Sequence, residues 1–208
     1  NILDDIGDNI DIDNIPLDDK ETLSLFKNAY TSGIFQFESS GRRSFLKSLE
    51  VDNFNTLVDA IALYRPGPRD NIDEYIKRKK GLKKVEYLVK ELEPILKSTY
   101  GIIIYQEQVL EILRTVGSFS YSQADNIRRA MSKKKYELIL KEKDKIINGV
   151  ITKGYNIDIA TKLYELIVKF SSYGFNKSHS VVYSKVAYQM AYLKSHYTMY
   201  FMKNLLNM

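Results

Sequence analysis

Five cations crowd one short stretch of this 208-residue chain: Arg128, Arg129, Lys133, Lys134 and Lys135, with Asp125 the acid beside them. Ser132 is a good N-cap residue, and it predicts a helix that opens there with three ammonium groups on its first turn. That end of a helix carries partial positive charge, so each lysine is disfavoured there by roughly 0.3–1 kcal/mol before screening. A phosphate ligand would reverse the sign, because exposed amides and cations would then face one anion. The alternative is that the side chains spread into water. A second constellation is Tyr173-Gly174-Phe175-Asn176-Lys177-Ser178-His179-Ser180. Ser178 or Ser180 is the expected cap of the helix that follows, which puts Lys177 and His179 at an anion-receptive end. Tyr173 offers a flat face for a sugar or base and Asn176 a paired donor and acceptor. The alternative here is an ordinary capped loop with a structural histidine.

Other groups carry less chemistry. Lys77-Arg78-Lys79-Lys80-Gly81-Leu82-Lys83-Lys84 reads as a solvated run that touches phosphates without specificity, if at all. Asp11-Ile12-Asp13 lacks the glycine and terminal glutamate of a calcium loop. His196 reads as a surface or core residue of a helix, and most of the sixteen tyrosines as half-buried packing. No Walker loop, nucleophile elbow or HExxH is present.

The elements that must hold these groups are mostly helices. Asp18 or Asp19 is expected to cap a helix through Leu23, Phe26 and Tyr30. Ile34–Glu38 alternates as a short strand would, and Ser39 or Ser40 opens a helix with Arg42, Arg43 and Lys47 opposite Phe45, Leu46 and Leu49. The helix from Asn55 stops at Arg65-Pro66-Gly67-Pro68, a rigid loop. Val109, Ile112, Leu113 and Val116 mark a buried helix face stopped by Gly117, and a helix from Ser120 or Ser122 follows. The helix from Ser132 turns Ile139, Ile146 and Val150 inward, and another spans Ile159–Phe170. The last helix repeats Val182, Val186, Met190, Leu193 and Tyr197 at spacings of three and four.

Apolar residues make up 44% of the chain, enough for a core, and no apolar run is long enough to span a membrane. The absence of cysteine excludes disulfides and thiolate metal sites, and two histidines exclude a histidine-rich zinc site. Residues 1–26 hold eight acids against Lys20, a net −7, and the other 182 residues a net +12. No acid follows Glu165. A body this basic suits an anionic partner, nucleic acid or a nucleotide, or else is simply a lysine-rich surface. With no signal peptide and no initiator methionine, the sequence reads as a segment of a longer polypeptide.

Five segments together resemble one family. Gly33-Ile34-Phe35-Gln36-Phe37-Glu38-Ser39, Leu63-Tyr64-Arg65-Pro66-Gly67-Pro68 and Tyr100-Gly101-Ile102-Ile103-Ile104-Tyr105-Gln106-Glu107-Gln108 are similar to segments of the bacterial replicative DNA polymerase III alpha subunits. So are Ile127 through Lys135 and Tyr173 through Ser180, in the family's order, with resemblance from about Ile15 onward. Ser132 departs from the glycine that members often carry; a serine cap is compatible with the position. The region resembled is the fingers, which implies a mainly α, multi-helix fold with one or two short strands or extended segments. It implies residues 1–30 as an acidic lead-in from the palm side and 31–208 as fingers, without palm, thumb or clamp-binding regions. By the same resemblance Arg128, Arg129, Lys177 and His179 face the triphosphate of an incoming deoxynucleotide, Tyr173 its sugar or base, and Asn176 belongs to the same site. Arg65, Lys133, Lys134 and Lys135 would contact phosphates of nucleotide or DNA.

The resemblance places no catalytic or metal-binding residue in this segment, since the aspartates that hold magnesium in the family belong to the palm. It implies primer-template DNA, deoxynucleotide and other replicase subunits as partners, a cytoplasmic location and no membrane. Two rival readings are a non-enzymatic helical module that binds nucleic acid through its basic surface, and a scaffold that docks proteins through apolar and tyrosine-rich faces.

Overall fold

The computed structural model describes residues 2–7, 10–65 and 69–207. Pro66, Gly67 and Pro68, expected to form a rigid loop, lie outside the described residues. In chain order the helices are α1 (Ile2–Ile6), α2 (Lys20–Lys27), α3 (Ser40–Leu49), α4 (Phe54–Leu63), α5 (Arg69–Lys79) and α6 (Glu93–Leu96). They continue with α7 (Gln106–Thr115), α8 (Tyr121–Ser132), α9 (Tyr136–Lys141), α10 (Lys143–Thr152), α11 (Ile157–Ser171), α12 (Lys177–His196) and α13 (Thr198–Leu206). Among the described residues there is no strand, only an isolated parallel bridge between Tyr105 and Phe175. The fold is therefore mainly α. None of the described helices is long and apolar enough to cross a membrane.

The chain divides into two compact units, Asn1–Tyr64 with Ser178–Met208, and Arg65–Lys177. In the first, Asp19 caps α2: its Oδ1 accepts from Thr22 N at 2.8 Å and Thr22 Oγ1 at 2.6 Å. The same carboxylate meets His196 Nε2 at 3.0 Å, so it also ties α2 to the end of α12. Burial alone would push the Asp19 carboxyl up, but the Thr22 bonds and the His196 contact outweigh it and leave the pKa below the ordinary value. Phe26, Phe37, Phe54 and Tyr188 make up the aromatic centre, with Phe26 edge-on to Phe37 at 5.5 Å and Phe54 edge-on to Tyr188 at 5.7 Å. Tyr188 is fully buried, its hydroxyl pKa is pushed up to about 12 by burial, and it donates to Pro16 O while accepting from Asp19 N, both at 3.0 Å.

Two expectations for this unit are corrected. Ile34–Glu38 is not a strand but two successive turns, Ile34 N donating to Thr31 O and Phe37 N to Ile34 O, with Gln36 left-handed at φ 68°. The turns bring Ile34 and Phe37, three apart, to the core and leave Phe35 partly exposed, so the alternation of apolar residues is not a pleat. On α12 the stripe Val182, Val186, Met190, Leu193, Tyr197 is not the packed face; of the five only Leu193 is buried. The buried face is Ser180, Ser184, Ala187, Tyr188 and Ala191, whose small side chains let the helix lie close to its neighbours. Ser180 is no cap: inside the helix, its Oγ donates to Val58 O at 2.6 Å.

The second unit has its own core, built from α7, α8, α10 and α11. The face expected on α7 is realised, with Val109, Ile112, Leu113 and Val116 fully buried. Ser120 is the cap of α8 and accepts from Gln123 N. Ile139, Ile146 and Val150 are buried as expected. Gly149 lies directly against Gly117, and a methyl group on it would overlap the Gly117 carbonyl oxygen.

Two predictions follow from these contacts. Gly149→Ala should destabilise the chain by about 1–3 kcal/mol in urea unfolding, because backbone rather than a flexible side chain must give way. Asp19→Ala should cost about 1–2 kcal/mol at pH 7. The folded pKa of Asp19 is depressed, so that stability is present at neutral pH and disappears as pH falls through the folded value; the wild-type and variant unfolding curves should converge at acid pH, below the ordinary carboxylate range.

Candidate functional site

Arg129 opens the last turn of α8 and Arg128 directly precedes it, three and four residues after Asp125. Adjacent arginines on a helix repel and diverge, but one carboxylate holds both here. Arg128 Nε donates to Asp125 Oδ1 at 2.7 Å and Arg129 Nε to Oδ2 at 2.6 Å. The Arg128 bond, then the Arg129 bond, hold the Asp125 carboxyl below its ordinary pKa despite its low exposure. Each guanidinium has five N–H donors, and the recorded bond to Asp125 uses only the Nε one. Together the three groups carry a net single positive charge.

The helix expected to open at Ser132 does not. Ser132 is the last residue of α8, Lys133 is its C-cap and Lys134 is left-handed at φ 52°. Lys134 N donates to Met131 O at 3.0 Å and Lys135 N to Ala130 O at 2.9 Å, the bond pair of a Schellman motif. Lys133 and Lys134 therefore stand at the negative end of α8, where cations are favoured, while Lys135 also forms the N-cap of α9. Any phosphate they hold is gripped by side chains alone, without help from free amides. The position that prefers glycine is taken by Lys134, which holds an L-residue in a conformation that costs roughly 1–2 kcal/mol.

The segment between α11 and α12 is clamped. Four consecutive carbonyl oxygens each accept from elsewhere in the unit: Ser172 O from Tyr136 Oη at 3.0 Å, Tyr173 O from Arg65 Nη2 at 2.7 Å, Gly174 O from Gln106 Nε2 at 3.1 Å and Phe175 O from Gln106 N at 2.9 Å. Arg65 also lies over the Phe175 ring at 4.0 Å, and burial lowers its pKa from the ordinary value. Asn71 Nδ2 reaches the Tyr173 hydroxyl at 3.4 Å, and the Tyr173 ring stands edge-on to Phe170 at 5.6 Å. Gly174 is needed for room: a Cβ there would lie 2.8 Å from Phe170 and 3.1 Å from Gln106 Cγ.

α12 begins directly after Asn176, ahead of either expected serine cap. Its first amide, Lys177 N, donates to both oxygens of Glu107 at 3.0 and 3.2 Å, so a carboxylate of the chain itself meets the helix N-terminus. Lys177 Nζ sits over the Tyr105 ring at 5.6 Å. Arg65, Arg128, Arg129, Lys133, Lys134, Lys135, Tyr173, Asn176 and Lys177 thus fall in one unit. His179 falls in the other, where its ring lies 4.1 Å from that of Tyr183.

Sequence reasoning assigned no role to Gln106, Glu107, Tyr136 or Asp125. Glutamine in a first helical turn is ordinary, and its partners are 26 and 68 positions away. Only Asp125, three and four residues before the arginines, had a readable spacing. Among the described residues no three His, Cys, Asp or Glu side chains gather as metal ligands. The Lys77–Lys84 run is partly neutralised, since Glu74 pairs with Arg78 and Lys83, both at 2.7 Å.

The family described as bacterial DNA polymerase III alpha subunit finger domain matches residues 1–154. The chain is 49% identical over 203 residues to the DNA polymerase III subunit alpha of Staphylococcus aureus (strain Mu50 / ATCC 700699) and to that of Staphylococcus epidermidis (strain ATCC 35984). Each alignment covers 98% of this chain and 19% of the relative, so the chain spans about a fifth of the length of these proteins. With the arginine pair on α8 and the clamped segment before α12 lying inside that aligned length, the chain belongs to the bacterial DNA polymerase III alpha subunit finger-domain family.

Proposed function

We propose that this chain grips the triphosphate of an incoming deoxynucleotide as the fingers part of a replicative DNA polymerase, residues 1–30 leading in from the palm side. The observation that carries the reading is the Asp125-held pair Arg128–Arg129 together with the clamped Tyr173–Lys177 segment in the same unit. A pre-oriented guanidinium pair suits a polyphosphate, whose oxygens take paired N–H donors. Charge builds on the leaving pyrophosphate as the bond to the α-phosphorus breaks, and fixed cations stabilise it most at that moment.

In this reading Arg128, Arg129 and Lys177 neutralise the phosphates, and Asn176 supplies further hydrogen bonds. Tyr173 lies against the sugar or base. Arg65 acts mainly by holding the Tyr173 carbonyl, and Lys133, Lys134 and Lys135 add contacts to phosphates of nucleotide or DNA. Aspartates of a palm outside this chain would hold magnesium, which would supply the activation of the primer 3′-hydroxyl. Primer-template DNA and other replicase subunits are the partners, in the bacterial cytoplasm.

The decisive experiment is Arg128→Ala in a full-length polymerase. Nucleotide incorporation should fall by at least about tenfold through KM or kcat, with primer-template affinity nearly unchanged. A loss of DNA affinity with normal incorporation at saturating DNA would favour a helical module that only binds nucleic acid. The 208-residue chain alone, given primer-template, deoxynucleotides and magnesium, should extend no primer; robust extension by the purified chain would contradict the assignment of the catalytic aspartates to another domain.

A further inference from the structure

Gln106 and Gln108 stand two residues apart at the start of α7, and both are buried. Primary amides are stable in such places when both ends are used. Gln108 uses its amide locally: Oε1 accepts from Ile104 N at 2.8 Å and Tyr105 N at 3.0 Å, and Nε2 donates to Thr99 Oγ1 at 2.8 Å. It sets how the chain enters α7.

Gln106 reaches outward instead. Its N–H donates to Phe175 O at 2.9 Å and its Nε2 to Gly174 O at 3.1 Å, while Oε1 accepts from Ser132 Oγ at 2.6 Å. Ser132 lies four residues after Arg128 on the same face of α8, its Oγ 3.2 Å from Arg128 O. One buried amide therefore joins the helix end that carries the arginine pair to the segment that carries Tyr173. Its two ends are not interchangeable. Reversing the amide would set oxygen against the Gly174 carbonyl.

We propose that Gln106 is a positioning residue for nucleotide binding, holding the Arg128–Arg129 pair and the Tyr173 segment in one register so that both meet the same nucleotide. The proposal rests on the reading of Arg128 and Tyr173 as nucleotide contacts. It requires no contact between Gln106 and the nucleotide. The hydrogen bonds fix the spacing of the two groups to within the few tenths of an ångström that such bonds tolerate, and misplacement of that order weakens a two-point grip.

The test uses full-length polymerase with primer-template at saturation and deoxynucleotide varied. Gln106→Met keeps the unbranched length and loses both side-chain bonds; Gln106→Glu still accepts from Ser132 but opposes the Gly174 carbonyl. Both should raise KM for the nucleotide by about tenfold, the size of one buried hydrogen bond, with a smaller change in kcat and unchanged DNA affinity. Arg128→Ala is run beside them. If it raises KM and neither Gln106 variant does, the positioning role is overturned while the nucleotide site stands. If Arg128→Ala leaves nucleotide kinetics unchanged, the nucleotide site and the positioning role fall together. A rise in Gln106→Met without one in Gln106→Glu would show that the Gly174 bond positions nothing and would overturn the two-sided tie. A parallel loss of kcat, DNA affinity and thermal midpoint in both variants would mark a general folding role and equally overturn it.

Discussion

The central constraint in this protein is the capture of four successive carbonyl oxygens, residues 172 to 175, by donors from three other parts of the same unit. A segment with serine on one side and glycine in its middle has many conformations open to it, and fixing each residue costs roughly 1–2 kcal/mol of conformational entropy. Backbone acceptors taken one by one remove that freedom without occupying side chains. Tyr173 is thereby presented from a fixed backbone, its hydroxyl accepting from Asn71, and Lys177 follows with its ammonium over the Tyr105 ring. Arg65 makes the clamp costly to undo, because its partly buried guanidinium would lose its carbonyl partner along with its place over Phe175.

Electrostatics around α8 follow from the same economy of donors. Asp125 converts two mutually repelling arginines into a paired fork, and Lys133 and Lys134 beyond them sit where the helix dipole favours positive charge. The cluster is thus stable as it stands and still carries excess positive charge. At the start of α12 the balance differs: Glu107 meets the amide that an external anion would otherwise approach. The two ends of the site are thus prepared differently, one as a cation fork and one as an amide already engaged by a carboxylate.

What was legible in the sequence was whatever depends on residues within about one helical turn. The apolar period of α7, the Asp19 and Ser120 caps and the clustering of cations before Lys135 are all local patterns. Where local pattern and long-range packing disagreed, the pattern misled. Phe35 and Phe37 alternate with Gln36 and Glu38 like a strand, yet it is Ile34 and Phe37 that enter the core, through turns. Serines 132 and 180 look like caps but spend their hydroxyls on Gln106 and on the Val58 carbonyl. The packed face of α12 is mostly alanine, serine and one tyrosine, and of its larger aliphatic residues only Leu193 is buried, because close approach rather than hydrophobic bulk decides most of the contact there. The cationic members of the candidate site were legible and the amide that links them was not, since nothing in a lone glutamine tells which distant oxygens it will meet.

Tyr188 also changes how the first twenty residues are to be understood. Their acidity suggests a solvated leader that a shorter polypeptide could do without. Yet the phenol at the centre of an aromatic core takes its acceptor from Pro16 and its donor from Asp19, so the chain from Pro16 to Asp19 closes over the core. A boundary drawn after Asp19 would strand a buried hydroxyl in an apolar interior, and any dissection of this region into smaller pieces has to begin upstream of that proline.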